Sequence, residues 1–546
     1  MADTTKTCQE CSAAFAVSDL DREFYEKMTV PEPTLCPDCR QQRRLAVRNE
    51  RCIYPDDCDL CGKKMVSLYS PDKEFSVYCY DCWLSDWSRL QYGFDYDFSR
   101  PFFEQFKELF AKVPRINIYQ LYNENCDYSN YTGYSRNCYL CYGSMGAEDC
   151  YYGNPYESKN CVDCFLVRES ELCYECVDCE KLYSAVACQN CVDCNDIAFC
   201  YDCRGCRNCV GCVGLRNKQY CFFNEQLSEK DFKVKKSAHY LASRKNYVHL
   251  MSEFSRFLKG FPRKFARNMN SENSTGNYLV GCKDCDVCFD LKRCRDCKYC
   301  AQVMDGKDCM DCNYTERPEL NYEHIGYCDN NMCRFGNTSG KCYECFYTEF
   351  CTSCKNCFGC VGMQRKEYCI LNKQYTKEEY EALLPRIIEH MKSTGEWGEY
   401  FPICDSAFTY NETAAQDYYP IDEETARAKG WKWKSDALKD FQAQSCQVAD
   451  DIREVPHSIC EEILACEKTG RNFRVIPQEL AFYKRLGLPV PKFCPDERYL
   501  ARLRKRNPRK LWSRTCMQCN MELYTSYDKS RPEKVFCEDC YLESIY

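Results

Sequence analysis

The stretch "PFFEQFKELFAKVP", residues 101–114, places Phe102, Phe103, Phe106, Leu109 and Phe110 on one stripe at helical spacing. This predicts an amphipathic helix with its apolar face on a core. "TKEEYEALLPRIIEHMKS", residues 376–393, reads as a second helix, with Thr376 as its cap and acidic residues in its first turn. Between these helices the rhythm changes. Residues 161–220 write out as four blocks of fifteen: "CVDCFLVRESELCYE", "CVDCEKLYSAVACQN", "CVDCNDIAFCYDCRG" and "CRNCVGCVGLRNKQY". Cysteines recur at 161, 176, 191, 206 and 221, with further columns at 164, 179, 194 and 209 and at 173, 188 and 203. The beat returns at 282, 297, 312, 342 and 357, with companions at 285, 300, 345 and 360 and with Tyr327 where a cysteine is due. The two halves align at an offset of 148, "VGLRNKQYCFFNEQ" falling on "VGMQRKEYCILNKQ". A fixed short period predicts stacked β coils, each burying its face against the next.

A second duplication frames the first. Cys8-x2-Cys11 is followed by Cys36-x2-Cys39, and Cys58-x2-Cys61 by Cys79-x2-Cys82. Paired CxxC knuckles suit a tetrahedral ion, because each knuckle brings two sulfurs and a hairpin brings the pairs together. At a constant offset of 458 the C-terminus repeats the module without a gap, so that Cys516, Cys519, Cys537 and Cys540 form a third complete set. The first knuckle pair has decayed: Cys466 and Cys494 remain, but Thr469 and Glu497 stand where Cys11 and Cys39 stand in the first copy. We read that pair as metal-free and held by its apolar residues. The competing reading is a weak site of two thiolates and a carboxylate.

These patterns predict a mostly β chain with helical connectors, in which duplicated zinc ribbons flank two Cys-rich, short-coil β-solenoid repeats of 15-residue period. The boundaries are a double ribbon module over 1–90, a helical connector over 91–120, a first repeat domain over 121–227 and a second connector over 228–269. A second repeat domain over 270–375, a helix and spacer over 376–460 and the second ribbon module over 461–546 complete the chain.

Composition narrows the chemistry. There are 53 cysteines, an odd count, and the start "MADTTKTCQECSAAF" lacks a secretion pattern, so reduced thiols in the cytosol are expected rather than disulfides. No apolar run approaches the roughly 18 residues of a membrane span. The formal charge is −8, and three four-thiolate zinc sites would take it to about −14. That balance argues against a protein that coats nucleic acid uniformly and leaves such work to local basic patches. At least three zinc ions are expected, at Cys8, Cys11, Cys36, Cys39; at Cys58, Cys61, Cys79, Cys82; and at Cys516, Cys519, Cys537, Cys540.

For the repeat thiols three readings stay open: packing as small hydrophobes, zinc shared between adjacent coils, and, least favoured, iron–sulfur. If coils of fifteen stack at about 4.8 Å, CxxC pairs could share an ion. The candidate quartets are Cys161, Cys164, Cys176, Cys179 and Cys191, Cys194, Cys206, Cys209, with Cys282, Cys285, Cys297, Cys300, Cys342, Cys345, Cys357 and Cys360 as their counterparts. His324 falls on the column of Cys294, Cys309, Cys354 and Cys369; a surface residue is the plain reading and a ligand the sharper one.

"CQECSAAFAVSDLDREFYEKMTVPEPTLCPDCRQQRR" resembles the treble-clef zinc-ribbon family in its CxxC, its aromatic "FY" and its "CPDCRxxRR". The whole chain also resembles large, uncharacterised Cys-rich zinc-ribbon proteins of uncultivated small-genome bacteria. The resemblance implies zinc at Cys8, Cys11, Cys36 and Cys39 and brings no activity with it; Thr469 and Glu497 depart from the pattern.

There is no P-loop, HExxH, GxSxG or GxGxxG, so the sequence offers no nucleophile, base or cofactor loop, and no small-molecule substrate or membrane partner is evident. It does offer basic helices behind each module's first site: "CRQQRRLAVRNER", with Arg43, Arg44 and Arg48, and "RYLARLRKRNPRK", with Arg502, Arg504 and Arg506. These six are the candidate nucleic-acid contacts, with RNA ahead of a protein partner; the alternative is a solvated face balancing the zinc sites. The expectation is a non-catalytic, zinc-dependent binding protein. Protein scaffold, zinc reservoir and iron–sulfur redox protein are the alternatives.

Overall fold

The structure, a computed structural model, describes residues 4–285, 287–292, 310, 313, 320–326, 329–435 and 441–545. Two parallel β-solenoids form the frame on which the rest of the chain packs. Their registers set the coil length: Cys161 pairs with Cys173, Cys173 with Ala185, Ala185 with Ile197, Ile197 with Cys209 and Cys209 with Cys221. Each step is twelve residues, and Asn321 pairs with Cys333 and Cys357 with Cys369 in the same register in the second solenoid. The unit is a triplet. Along Cys173–Cys176–Cys179–Leu182 every third residue is buried inside, which gives four inward positions per coil. The residue before each inward one turns the corner with positive φ, as Leu172 (56°), Glu175 (51°), Asp178 (52°) and Lys181 (54°) do. A left-handed residue costs roughly 1–2 kcal/mol when it is not glycine. Closed ladders between coils offset that cost, for example Val177 N–H to Cys188 O at 2.9 Å and Asn190 N–H to Val177 O at 3.0 Å.

The 15-residue period is thereby corrected to twelve. Fifteen is five triplets, so the beat keeps every cysteine facing inward without returning it to the same wall. Cys161, Cys176, Cys191 and Cys206 are all buried, yet in a coil of twelve they fall on four different walls. The quartets built on a spacing of fifteen are corrected with it; Cys164 stacks on Cys176, whereas Cys161 stacks on Cys173. The inward thiols are satisfied by backbone. Cys164 Sγ lies 3.5 Å from Cys173 O, Cys203 Sγ 3.5 Å from Cys212 O and Cys360 Sγ 3.5 Å from Cys369 O. His324, read as a surface residue, is fully buried instead and shares its column with Gly336, not with Cys354 or Cys369. Burial holds its imidazole down to about 3, and Nε2 lies 3.0 Å from Asn330 Nδ2. Cys294, Cys297, Cys300, Cys309, Cys312 and Tyr327 lie outside the described residues.

Each solenoid ends in a short antiparallel return, Glu225–Gln226 on Gln219–Phe222 and Lys373–Gln374 on Glu367–Ile370, followed by the helix Glu229–Ala238 or Lys377–Ser393. The return blunts an otherwise open edge. Thr376 caps its helix as predicted, with Glu379 completing the capping box. The helix Phe102–Lys112 buries Phe102, Phe106, Leu109 and Phe110 as predicted, while Phe103 of the same stripe is half-buried. Its Phe102 ring meets Tyr347 at 4.9 Å and Phe358 at 5.2 Å, so it packs on the second solenoid.

The ribbons bind the solenoids crosswise. Val77–Tyr78 pairs with Arg115–Ile116, which opens the first solenoid, and Val535–Phe536 pairs with Arg263–Lys264, which opens the second. The N-terminal module's first ribbon crosses over: Tyr25 meets Tyr322 of the second solenoid at 5.5 Å. In the C-terminal copy Tyr483 meets Tyr174 of the first solenoid at 5.6 Å. All four contacts map onto one another by the sequence offsets of 458 and 148, so the molecule has a pseudo-twofold axis. The spacer helix Ala414–Tyr418 joins the two copies, with Asp417 2.7 Å from Arg51 and Tyr418 beneath its counterpart Arg509 at 4.4 Å.

Candidate metal centres and the basic helices

Each complete ribbon builds its site from a β hairpin and the first turn of a helix. In the first, the hairpin of Thr4–Thr7 and Ala14–Val17 supplies Cys8 and Cys11, and Cys36 caps the helix Pro37–Leu45, which carries Cys39. In the second, Tyr54–Asp57 and Lys64–Ser67 flank Cys58 and Cys61, while Cys79 caps the helix Tyr80–Leu84, which carries Cys82. Trp512–Thr515, Glu522–Thr525 and the helix Glu538–Ile545 do the same for the third. The knuckle closes on a left-handed residue after its second cysteine: Ser12 at φ 60°, Gly62 at 71° and Asn520 at 62°.

In all three sets the four sulfurs lie within 4.8 Å of one another. Cys11 and Cys36 are 3.7 Å apart, Cys61 and Cys79 3.9 Å, Cys519 and Cys537 3.8 Å. A tetrahedral ion with sulfur bonds of about 2.3 Å needs edges of about 3.8 Å, so the residues fit one metal ion per set. Backbone amides tune the sulfurs toward the thiolate. Cys79 N–H donates to Cys58 Sγ and Cys537 N–H to Cys516 Sγ, both at 3.2 Å. Burial acts to raise these two thiols, but N–H donation outweighs it and leaves them at about 7 and about 6. Among the described residues these three sets are the Cys, His, Asp and Glu groups that gather in this way; the described solenoid cysteines do not.

The decayed ribbon keeps the knuckle backbone. Gly470 holds φ 70° and donates to Cys466 O at 2.8 Å, as Gly62 does to Cys58 O. Ion pairs stand where metal would cross-link the two loops: Lys468 Nζ lies 2.5 Å from Glu497, Lys492 lies 2.5 Å from Glu467, and Arg471 pairs with Asp496. Glu497, which replaces a ligand, is thus committed to a lysine. These charged pairs act beside the apolar residues of the ribbon.

The six arginines come out differently from expectation. Arg43 pairs with Glu323 at 3.1 Å and Glu399 at 2.6 Å, and Arg44 donates to Asn313 at 3.1 Å. Arg48 lies 2.7 Å from Glu50 with its guanidinium 3.6 Å over Tyr131. Arg502 meets Asp163 at 2.7 Å and Tyr152 O at 2.8 Å, and Arg506 meets Asp178 at 2.9 Å and also Asp290. All five side chains are at most 9 % exposed. They are corrected from phosphate contacts to the fastening between ribbon and solenoid; Arg504 alone of the six is exposed. The residues missed were the receiving carboxylates. Asp163 and Asp178 are the Asp of "CVDC", at the left-handed corner where Asp is tolerated, and a search for acidic residues matching the basic helices would have found them.

Among the described residues no helix is long and apolar enough to cross a membrane. Residues 2–47 match the family model described as "Probable treble clef domain", in agreement with the hairpin-and-helix geometry of the first ribbon. No curated protein matches the chain. A solved structure described as an acetyltransferase from Desulfovibrio desulfuricans G20 is similar at 7% identity over 50% of this chain and 81% of that one. Its TM-score is 0.10, and the likeness carries no argument about fold or activity. The chain carries a treble-clef domain at residues 2–47, three four-cysteine groups that fit a metal ion and Cys-rich β-solenoids.

Proposed function

We propose that the protein is a zinc-dependent, non-catalytic binding scaffold of the cytosol, with a protein partner ahead of RNA. The crosswise docking carries this reading: each solenoid is opened by a ribbon of one copy and flanked by a ribbon of the other, through buried ion pairs. A set of four thiolates leaves no position for a substrate, so zinc here acts as a cross-link that fixes hairpin to helix. Sulfurs 3.7–3.9 Å apart enclose a single ion, which favours zinc over an iron–sulfur cluster. RNA ranks second because five of the six arginines that argued for it are spent on carboxylates inside the molecule.

Two measurements test the reading. Protein purified without added metal should return three zinc ions per chain; fewer than two in a folded sample would sink the ribbon role. Retention of cellular RNA is then followed against salt at near-physiological ionic strength. Salt-dependent retention by the wild type that disappears in a folded Arg504→Glu variant would put nucleic-acid binding in place of the scaffold.

A further inference from the structure

Where the first solenoid, the start of the second and the C-terminal ribbon meet, a pocket of about 190 Å³ opens. Six cationic side chains line it, Arg263, Lys264, Arg267, Arg504, Lys505 and Arg531, against one carboxylate, Glu533. In a chain of net charge −8 this concentration needs a cause, because like charges brought together in a partly desolvated pocket repel. Carboxylates in and beside the pocket take up part of it. Asp202 lies 3.0 Å from Arg267, Glu538 lies 2.7 Å from Lys264, and Glu533 Oε2 lies 3.1 Å from Arg531 Nε. Arg263, mostly buried, donates to the carbonyls of Leu258 at 3.1 Å and Phe261 at 3.2 Å, and its guanidinium lies 4.8 Å over Tyr201. Arg504 and Lys505 are exposed.

The pseudo-twofold supplies a control within the same molecule. The offsets carry Arg263 to Arg115, Tyr201 to Glu349, Arg504–Lys505 to Ala46–Val47 and Glu533 to Phe75. In that copy the site is all but sealed, with about 20 Å³ left beside Val47, Phe110 and Glu349. Arg115 is buried between the rings of Phe75 at 3.4 Å and Phe110 at 3.5 Å and donates to Phe110 O at 2.8 Å, Ala46 and Val47 are buried, and Glu349 is buried where the other copy has Tyr201. One duplicate has become core. The other has Tyr201 in place of that carboxyl and two cations at the rim, and it is open. Sealing shows that the fold does not need the open, cationic form.

We propose that this pocket binds the phosphate groups of a nucleotide-sized phosphorylated small molecule. The pocket shares Asn190, Lys264, Arg267 and Tyr278 with an adjoining cleft of about 790 Å³, where asparagines and Tyr278 offer hydrogen bonds and a ring to the organic part. Guanidinium forks match phosphate oxygens two at a time, which suits this set of arginines better than a single carboxylate ligand would. The site goes beyond the scaffold reading, and a chain that binds no phosphate still stands as a scaffold.

Calorimetry on the full, metal-loaded chain at about 0.1 M salt tests the proposal, with inorganic diphosphate and ADP as probes. Both are expected to bind. A tighter ADP assigns the adjoining cleft to base and sugar, whereas equal affinities assign recognition to the phosphates alone; either outcome supports the site. Arg504→Ala with Lys505→Val copies the sealed duplicate at two exposed positions and should weaken binding at least tenfold while leaving the circular dichroism and the zinc content unchanged. Tyr201→Glu, which places a carboxyl there as in the sealed duplicate, should abolish binding. The proposal is overturned if neither probe binds the wild type, if the Ala–Val variant binds as well as the wild type, or if RNA oligomers bind and both probes do not.

Discussion

Glu349 shows at the scale of one residue what the duplication did with charge. Burial raises its carboxyl, Arg115 and the Asn337 amide pull it back, and it settles at about 7 against an ordinary value of 4.5. Its folded value lies above its unfolded one, so the stability tied to this proton is complete below about pH 4 and is lost as pH rises through about 7. Glu349→Gln keeps an oxygen for Asn337 Nδ2, 2.6 Å away, and removes the charge. The variant should match the wild type more closely at pH 5 and exceed it at pH 8.5, the gap widening by on the order of 2 kcal/mol. Urea unfolding of both chains at the two pH values reads this, and the thiolates, common to both, cancel in the difference. Equal stability at both values would show that the carboxyl is not held protonated. At this scale the four-cysteine sets and the Thr376 cap were legible beforehand, because a CxxC pair states its own geometry and a capping residue its own helix start. The arginines were visible but their role was not: a basic helix reads alike whether it meets phosphate or, as Arg502 does, a buried Asp163.

At the scale of elements the stacked coils were legible in the cysteine beat, whereas the triplet and the coil length were not. Inward and outward alternate with period three, so every multiple of three returns cysteine to cysteine, and fifteen wins by repetition of "CVDC" alone. The length of a coil follows from the corner geometry, which a cysteine column does not encode. That geometry makes a sharp prediction at Lys181, exposed and at φ 54°. Lys181→Ile should cost about 1–2 kcal/mol although its side chain faces solvent, because a β-branched residue resists the left-handed corner, whereas Lys181→Asn should be close to neutral. Thermal unfolding of the two variants separates backbone strain from any loss of charge; equal melting would remove the corner as a determinant. The knuckle makes a second prediction. Gly470 retains the left-handed closure of a metal knuckle, so Thr469→Cys with Glu497→Cys should add one zinc ion per chain, measured by elemental analysis. The same substitutions release Lys468 from its pair, so a folded double variant with no added zinc would mean that the ion pairs have moved the two loops out of ligand geometry.

The whole molecule is a dimer written as one chain. The offsets of 458 and 148 announced two duplications, but only the contacts reveal that each ribbon module serves both solenoids, since crossing over leaves no mark on a linear repeat. Neither half closes on itself. The first half lacks the ribbon whose Arg498 and Arg502 meet Asp163 in a buried pair, and the second lacks the ribbon whose Arg43 meets Glu323. Removing one partner from such a pair leaves a buried charge and costs about 3–5 kcal/mol, before the aromatic contacts are counted. Cutting the chain in the turn at Gly260, between the helix Arg244–Leu258 and the strand Arg263–Lys264, severs no ribbon from the solenoid it opens. Residues 1–260 and 261–546, produced together, should therefore associate as a one-to-one complex that co-purifies with the zinc of both modules. Produced alone, each should aggregate or bind a hydrophobic dye, with Asp163 or Glu323 stranded on an uncovered solenoid flank. Light scattering and dye binding on the separate fragments decide the matter. A first fragment that is monomeric and fully folded by itself would show that the crosswise fastening is ornament to two independent halves.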